Sequence, residues 1–198
     1  MNGLLVIISS PSGGGKTSVI KKLIENSEIN FEYSISATTR KPRPDDINGK
    51  DYIFLSEKEF LSKKNKGEFL EWEQVHQYYY GTPKEKIEQW LNEDKIVLLD
   101  IDVNGGAQIK QNYPDNTISI FIEPPSLEEL IARLKNRKTD SKEEINKRLR
   151  RVPLEMEKKK LFDYIVVNDK LEDTIKQMVN IIKKYKYNGG CTDVSNNH

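Results

Sequence analysis

The reading turns on one stretch near the start of the chain: Leu4-Leu5-Val6-Ile7-Ile8-Ser9, followed at once by Ser10-Pro11-Ser12-Gly13-Gly14-Gly15-Lys16-Thr17. The first six residues are an apolar run of strand length, and a helical pattern follows from about Thr17 to Glu25. A glycine-rich turn between strand and helix lets backbone N–H groups converge on an anion, and the helix N-terminus adds a favourable field. Ser12, Gly13, Gly14, Gly15, Lys16, Thr17 and Ser18 are therefore expected to cradle the phosphates of a nucleoside triphosphate, with Lys16 on the β- and γ-phosphates and the Thr17 hydroxyl toward Mg²⁺. One position departs from the G-x-x-x-x-G-K-[ST] pattern. Ser10 stands where the first glycine is usual, at a cost if that position needs a positive φ. A glycine turn that binds nothing is the plain alternative, and Gly15-Lys16-Thr17 at a helix start argues against it. The loop specifies a triphosphate and not a reaction, since GTPases, ATPases and small-molecule kinases share it.

Outward from this loop, apolar runs of strand length at 96–101, 118–122 and 164–167 alternate with helical segments. That order predicts an α/β fold, a parallel sheet with helices on both faces. Ser56 with Glu59, Ser126 with Glu129 and Ser141 with Glu144 fit the Ser-x-x-Glu capping box and mark three helix starts. Pro83 suits the first turn of a helix running to about Glu93, and a last helix is expected from Leu171 to about Tyr185. The Gly/Asn-rich stretch 188–198 has no periodicity and is expected to be a disordered tail. Two segments break the rhythm. Residues 33–80 hold strand-like pieces at 33–36, 52–55 and 69–75 around one helix, as an inserted mixed lobe would. Residues 136–160 are charged and rich in arginine, which suits a mobile flap. Pro153 is expected to kink or end the helix there.

Composition excludes several classes. With 32 basic and 31 acidic residues the formal net charge is +1, so no global basic excess points to nucleic acid or a membrane surface, and any anion site must be local. Cys191 is the single cysteine, which allows neither an internal disulfide nor a cysteine-rich metal site and fits a reducing, cytoplasmic setting. The opening residues read as a first strand and not as a targeting leader, and no apolar stretch approaches membrane-spanning length.

Five more segments carry a specific resemblance: the run from Ser34 to Arg43, Asn48-Gly49-Lys50-Asp51-Tyr52, Phe69-Leu70-Glu71-Trp72, Tyr79-Tyr80-Gly81-Thr82 and Leu99-Asp100-Ile101-Asp102. With the phosphate loop they resemble the guanylate kinase family in order and spacing, over about 4–184. The resemblance implies transfer of the γ-phosphoryl group of ATP to GMP, giving ADP and GDP, with Mg²⁺ accompanying ATP. It implies a parallel P-loop core (about 1–32, 81–126 and 158–187), a GMP-binding lobe (about 33–80) and a lid (about 127–157). Ser36, Arg40, Arg43, Tyr52, Glu71, Tyr80, Thr82 and Asp100 match the family's GMP positions. At position 82 the family usually has serine, and threonine keeps the hydroxyl while adding a methyl group. Arg133, Arg137 and Arg148 match the arginines that close over the phosphates and, with Lys16 and Arg40, form the implied catalytic set.

The residue types suit that chemistry on their own terms. A dianionic acceptor phosphate needs cations and hydroxyl donors. Guanine offers N1–H and N2–H together to a carboxylate, whereas adenine presents a lone pair at N1. A site built on hydrogen bonds rejects the wrong partner by ~10⁴-fold or more. Alternatives stand beside each reading. Arg40 and Arg43 could belong to an ordinary solvated loop, the three tyrosines at 78–80 to a strand, and Asp100 to guanine, to Mg²⁺ or to both. Arg150 and Arg151 read as charged helix surface. A scaffold module that has lost catalysis and a kinase for another small acceptor are the rival functions. Intact Lys16 and Thr17 argue against the first, and Glu71 and Asp100 with Ser36 against the second. A monomer or a weak homo-oligomer is expected.

Overall fold

All six residues of β1 (Leu4–Ser9) are buried, and such a strand needs a partner on each edge and cover on each face. A computed structural model, which describes residues 2–26, 28–75, 77–135 and 142–187, supplies both. β1 lies between β7 (Ile96–Asp100) and β8 (Thr117–Glu123), with β2 (Phe31–Tyr33) and β9 (Tyr164–Val167) at the edges; every pairing is parallel. Alternate residues of β1 face opposite layers. Leu4, Val6 and Ile8 pack with Val19 and Leu23 of α1 (Lys16–Asn26) and with Met178 and Ile182 of α7 (Leu171–Tyr187). Leu5 and Ile7 pack with Ile87 and Leu91 of α3 (Glu85–Asn92) and Ile109 of α4 (Val103–Asn112). Each such fully buried aliphatic side chain contributes roughly 1.5–3 kcal/mol, so the strand that leads into the phosphate loop is firmly held on both faces.

A second sheet runs β4 (Ile53–Phe54), β3 (Ala37–Thr38), β6 (Tyr78–Pro83), β5 (Phe69–Val75). It is mixed: β3 pairs parallel with β4 and antiparallel with β6, which pairs antiparallel with β5. Its apolar anchor is Phe60 of α2 (Glu57–Asn65), fully buried and stacked on Phe69 and Tyr79 with ring centroids 4.5 and 5.3 Å away. Gly81 makes room for this stack, because a Cβ there would meet the Phe60 ring at 3.1 Å. Two further helices, α5 (Leu127–Lys135) and α6 (Lys142–Glu157), bury Leu130, Leu134 and Val152 between them.

Several expectations need correction. The strand-like piece at 33–36 is shifted: β2 ends at Tyr33, pairs with β7 and belongs to the first sheet. Pro83 does not open a helix. It closes β6 opposite Phe69, a strand end where its missing N–H is tolerated, and α3 begins at Glu85. Pro153 does not end its helix either. α6 runs on to Glu157, with Val152 buried before the proline and Glu155 anchored after it. The Ser56–Glu59 capping box is complete, and Ser126 Oγ accepts the Glu129 N–H at 3.1 Å. The Ser141–Glu144 box, Arg137 and the tail 188–198 lie outside the described residues. Among the described residues no helix is long and apolar enough to cross a membrane.

Candidate active site

Parallel strands deliver their carboxyl ends to one rim, and ligands bind there in α/β sheets. Here the rim carries the loop after β1, Asp100 at the end of β7, and Asn168 just after β9. Strands β5 and β6 of the second sheet face it across a cleft of about 850 Å³.

The phosphate loop is shaped by two glycines with positive φ, Gly13 at 89° and Gly15 at 91°, and by a turn in which Gly14 N–H donates to Pro11 O at 2.9 Å. Ser10 carries no conformational cost. Asp94 is the only non-glycine residue with positive φ among those described, so the first loop position does not need glycine's freedom. Asn168, almost fully buried, braces the loop from behind. Its amide donates to Gly14 O at 3.1 Å and its carbonyl accepts from Thr174 Oγ1 at 3.3 Å. The Lys16 ammonium lies 2.6 Å from Asp100 Oδ1 and donates to Ile101 O at 3.1 Å. Thr17 and Ser18 are exposed at the cleft floor.

Opposite, Glu71 on β5 is 7% exposed and its carboxylate accepts a 2.5 Å hydrogen bond from the Thr82 hydroxyl on β6. Burial pushes the Glu71 carboxyl up to about 7, and the charges of Asp102 and Glu73 push the same way against the Thr82 bond. Gly105 of α4 leaves space for the group, since a Cβ there would lie 2.6 Å from Glu71 Oε2. Thr82 itself is buried behind Glu71, so its hydroxyl orients the carboxylate and does not face the cleft. Ser36, Arg40, Arg43, Tyr52, Tyr80, Glu71 and Asp100 all line the cleft. Tyr52 and Tyr80 meet edge to face at 6.1 Å. The Tyr52 phenol is pushed up by burial and then by Asp100 and Tyr80, with Arg40 and Arg43 opposing, which places all five groups in one field. Arg40 lies over the Tyr52 and Phe54 rings and is paired with Asp46 Oδ2 at 2.9 Å. That same carboxylate oxygen accepts the Arg43 N–H at 2.6 Å.

Arginines approach from the helical side. Arg133 lines the cleft next to Gly15, paired with Glu129 at 2.9 Å. Arg148 Nη1 donates to Ser12 Oγ at 3.2 Å. Arg150 is exposed, as a surface residue should be, but Arg151 is not surface: it lines the cleft and pairs with Asp102 at 3.0 Å and Glu155 at 3.3 Å. The spacing of Arg148, Arg151 and Glu155 puts them on one helical stripe, a signal that was available in the sequence. Asp46 also has a local signal, three residues after Arg43 in a turn. Asn168 has none, because its partner lies 154 residues away.

The comparisons agree with this geometry. A family model described as guanylate kinase matches residues 2–185. A guanylate kinase of Thermotoga maritima is 43% identical over 183 residues, 92% of this chain and 87% of the relative. One from Porphyromonas gingivalis is 44% identical over 182 residues, 91% of this chain and 97% of the relative. The crystal structure of guanylate kinase from Anaplasma phagocytophilum is similar with a TM-score of 0.78 and 31% identity, covering 93% of this chain and 87% of that one. With a phosphate loop facing a buried carboxylate across a single cleft, and a match over nearly its whole length, the chain belongs to the guanylate kinase family, nucleoside monophosphate kinases that act as ATP:GMP phosphotransferases.

Proposed function

We propose that the cleft seats ATP on the loop from Ser12 to Ser18 and GMP against the second sheet, with the two phosphate ends meeting near Lys16. The observation that carries this is the facing pair: Lys16 on the rim of the first sheet and the buried Glu71 on the second open into the same space. Guanine N1–H and N2–H donate to Glu71, whose orientation Thr82 fixes, while Ser36 and Asp100 complete the base edge. Arg40, Arg43, Tyr52 and Tyr80 hold the GMP phosphate. An oxygen of that phosphate attacks the γ-phosphorus of ATP, the bond from γ-phosphorus to the bridging oxygen breaks, and ADP departs. The attacking group is already an anion, so the chain supplies position and positive charge and no general base. Lys16, Arg133 and Arg148, with Arg137 beyond the described residues, take up the negative charge that spreads in transfer. The second sheet acts as a GMP lobe and α5 with α6 as a lid whose closure excludes water.

Mg²⁺ fits the donors present. Thr17 offers an exposed hydroxyl and Asp100, paired with Lys16, a carboxylate on the same cleft, both hard oxygen ligands. Mg²⁺ that accompanies a nucleotide keeps phosphate and water among its ligands, so one or two protein oxygens suffice. When bound, Mg²⁺ would offset charge on the β- and γ-phosphates. The acting species is proposed to be a monomer or a weak homo-oligomer. A cytoplasmic place in purine nucleotide metabolism follows from the substrates.

The test is ADP release from ATP with Mg²⁺, with and without GMP, alongside Lys16→Ala. GMP-dependent release that the variant lacks is expected. A folded wild-type protein with no GMP-dependent release overturns the reading.

A further inference from the structure

Two side chains of α6 grip the same residue of the phosphate loop. Glu155 Oε2 accepts the Ser12 N–H at 2.9 Å, and Arg148 donates to the Ser12 hydroxyl at 3.2 Å. The other oxygen of Glu155 lies 3.3 Å from Arg151 Nε. The far end of that guanidinium reaches Asp102 Oδ2 at 3.0 Å, and Asp102 caps α4 by accepting the Asn104 N–H at 2.9 Å. One buried carboxylate, 9% exposed, thus joins the loop after β1 to α6 and, through Arg151, to the start of α4.

Its sign is wrong for direct contact with substrate. A carboxylate at the edge of a polyphosphate site repels the phosphates unless a cation neutralises it, and here Arg151 does so. Pro153, between Arg151 and Glu155, cannot donate to the carbonyl four residues back, that of Leu149. This stretch of α6 therefore relies on tertiary contacts for its position more than an ordinary helix would, and Glu155 supplies the one that reaches the loop backbone.

We propose that Glu155 is a positioning residue for phosphoryl transfer. By taking the Ser12 N–H with one oxygen and Arg151 with the other, it docks α6 on the phosphate loop and so sets Arg148 over the ATP phosphates. Glu155 touches neither nucleotide. The inference rests on the role given to Arg148 above.

The test is steady-state kinetics of the full chain with ATP and GMP for wild type, Glu155→Ala and Glu155→Gln, with folding followed by circular dichroism. In Glu155→Ala kcat falls about 10- to 100-fold, the loss expected when a charged group shifts by about 1 Å from its working place. KM for GMP stays within about twofold, because the GMP groups stand on other elements. Glu155→Gln restores the side-chain volume and keeps an amide oxygen for the Ser12 N–H, but turns an NH2 donor toward the Arg151 Nε–H, so its kcat lies between wild type and Glu155→Ala, roughly 3- to 10-fold below wild type, where a packing role alone would restore it fully. Three results overturn the inference: kcat of Glu155→Ala within about twofold of wild type, a tighter KM for ATP in that variant, which would mean that the carboxylate competes with phosphate, or a Glu155→Gln within about twofold of wild type, which would mean that side-chain volume and not the pairing with Arg151 is at work. An active wild type with an unaltered Glu155→Ala sinks this inference alone. A wild type without GMP-dependent turnover sinks the kinase reading and this inference with it.

Discussion

At the scale of the residue, Glu71 is the group whose chemistry the fold changes most. Its carboxyl titrates at about 7 because burial disfavours the charge. The sign follows from linkage. A carboxyl raised in the folded state costs nothing below its ordinary range. It then costs progressively more stability as pH rises to about 7, and a constant amount above that. Guanine N–H donors need the ionised form, so GMP must displace a proton at low pH. GMP affinity in wild type should fall about tenfold more between pH 8 and pH 6 than in Glu71→Gln, which shares the titration of the GMP phosphate but lacks the carboxyl. Equal pH slopes, measured by calorimetry, would refute this. Asp46 gives a second residue-scale expectation. It pins Arg40 through the same oxygen that takes the Arg43 N–H. Asp46→Asn should raise KM for GMP about 3- to 10-fold and leave KM for ATP within about twofold, given the worth of a charge-assisted bond in a partly exposed loop. A rise in both constants would mean that the loop acts on the whole cleft.

At the scale of the element, the second sheet touches the first sheet's core through Leu70 of β5 but keeps its own aromatic anchor, and that degree of separation is testable. Phe60 stacks on Phe69 and Tyr79 beneath β5 and β6, far in sequence from the phosphate loop. Phe60→Ala should cost about 3–5 kcal/mol locally and loosen Glu71, raising KM for GMP by more than tenfold while ADP binding in the absence of GMP changes less than twofold. Parallel loss of both would contradict the separation. The same elements explain what the sequence revealed. β1 and the phosphate loop were legible because strand, turn and helix signals are contiguous and local. The Ser56 and Ser126 caps were legible for the same reason. Pro83 was misread because one missing N–H serves a strand end as well as a helix start, and only pairing with Phe69 decides between them. β2 was misplaced because Tyr33 to Ser36 reads as one extended piece, while regular pairing with β7 ends at Tyr33 and only the Ser34 N–H reaches on, to Leu98 O. Arg151 looked like surface because a charged helix hides which stripe meets the core, and Asn168 was invisible because its task is to hold a loop at the other end of the chain.

At the scale of the molecule, one cleft is bounded by three bodies of different origin: the rim of the parallel sheet, the mixed second sheet, and α5 with α6. The first offers cations and backbone N–H groups, the second a buried carboxylate ringed by tyrosines and arginines, the third a stripe of guanidinium groups. That division is what a two-substrate phosphoryl transfer needs, since each nucleotide is recognised apart and the charge between them is neutralised by all three. The central claim is that Glu71 chooses the acceptor. The measurement that tests it most directly is phosphoryl transfer from ATP to GMP, AMP and UMP, each with wild type and with Glu71→Gln. The account predicts turnover with GMP in preference to AMP and UMP by ~10⁴-fold or more, and a loss of at least about 100-fold in kcat/KM for GMP in the variant, as expected when a buried polar site loses its charged partner. Unchanged GMP turnover in a folded Glu71→Gln protein would contradict it.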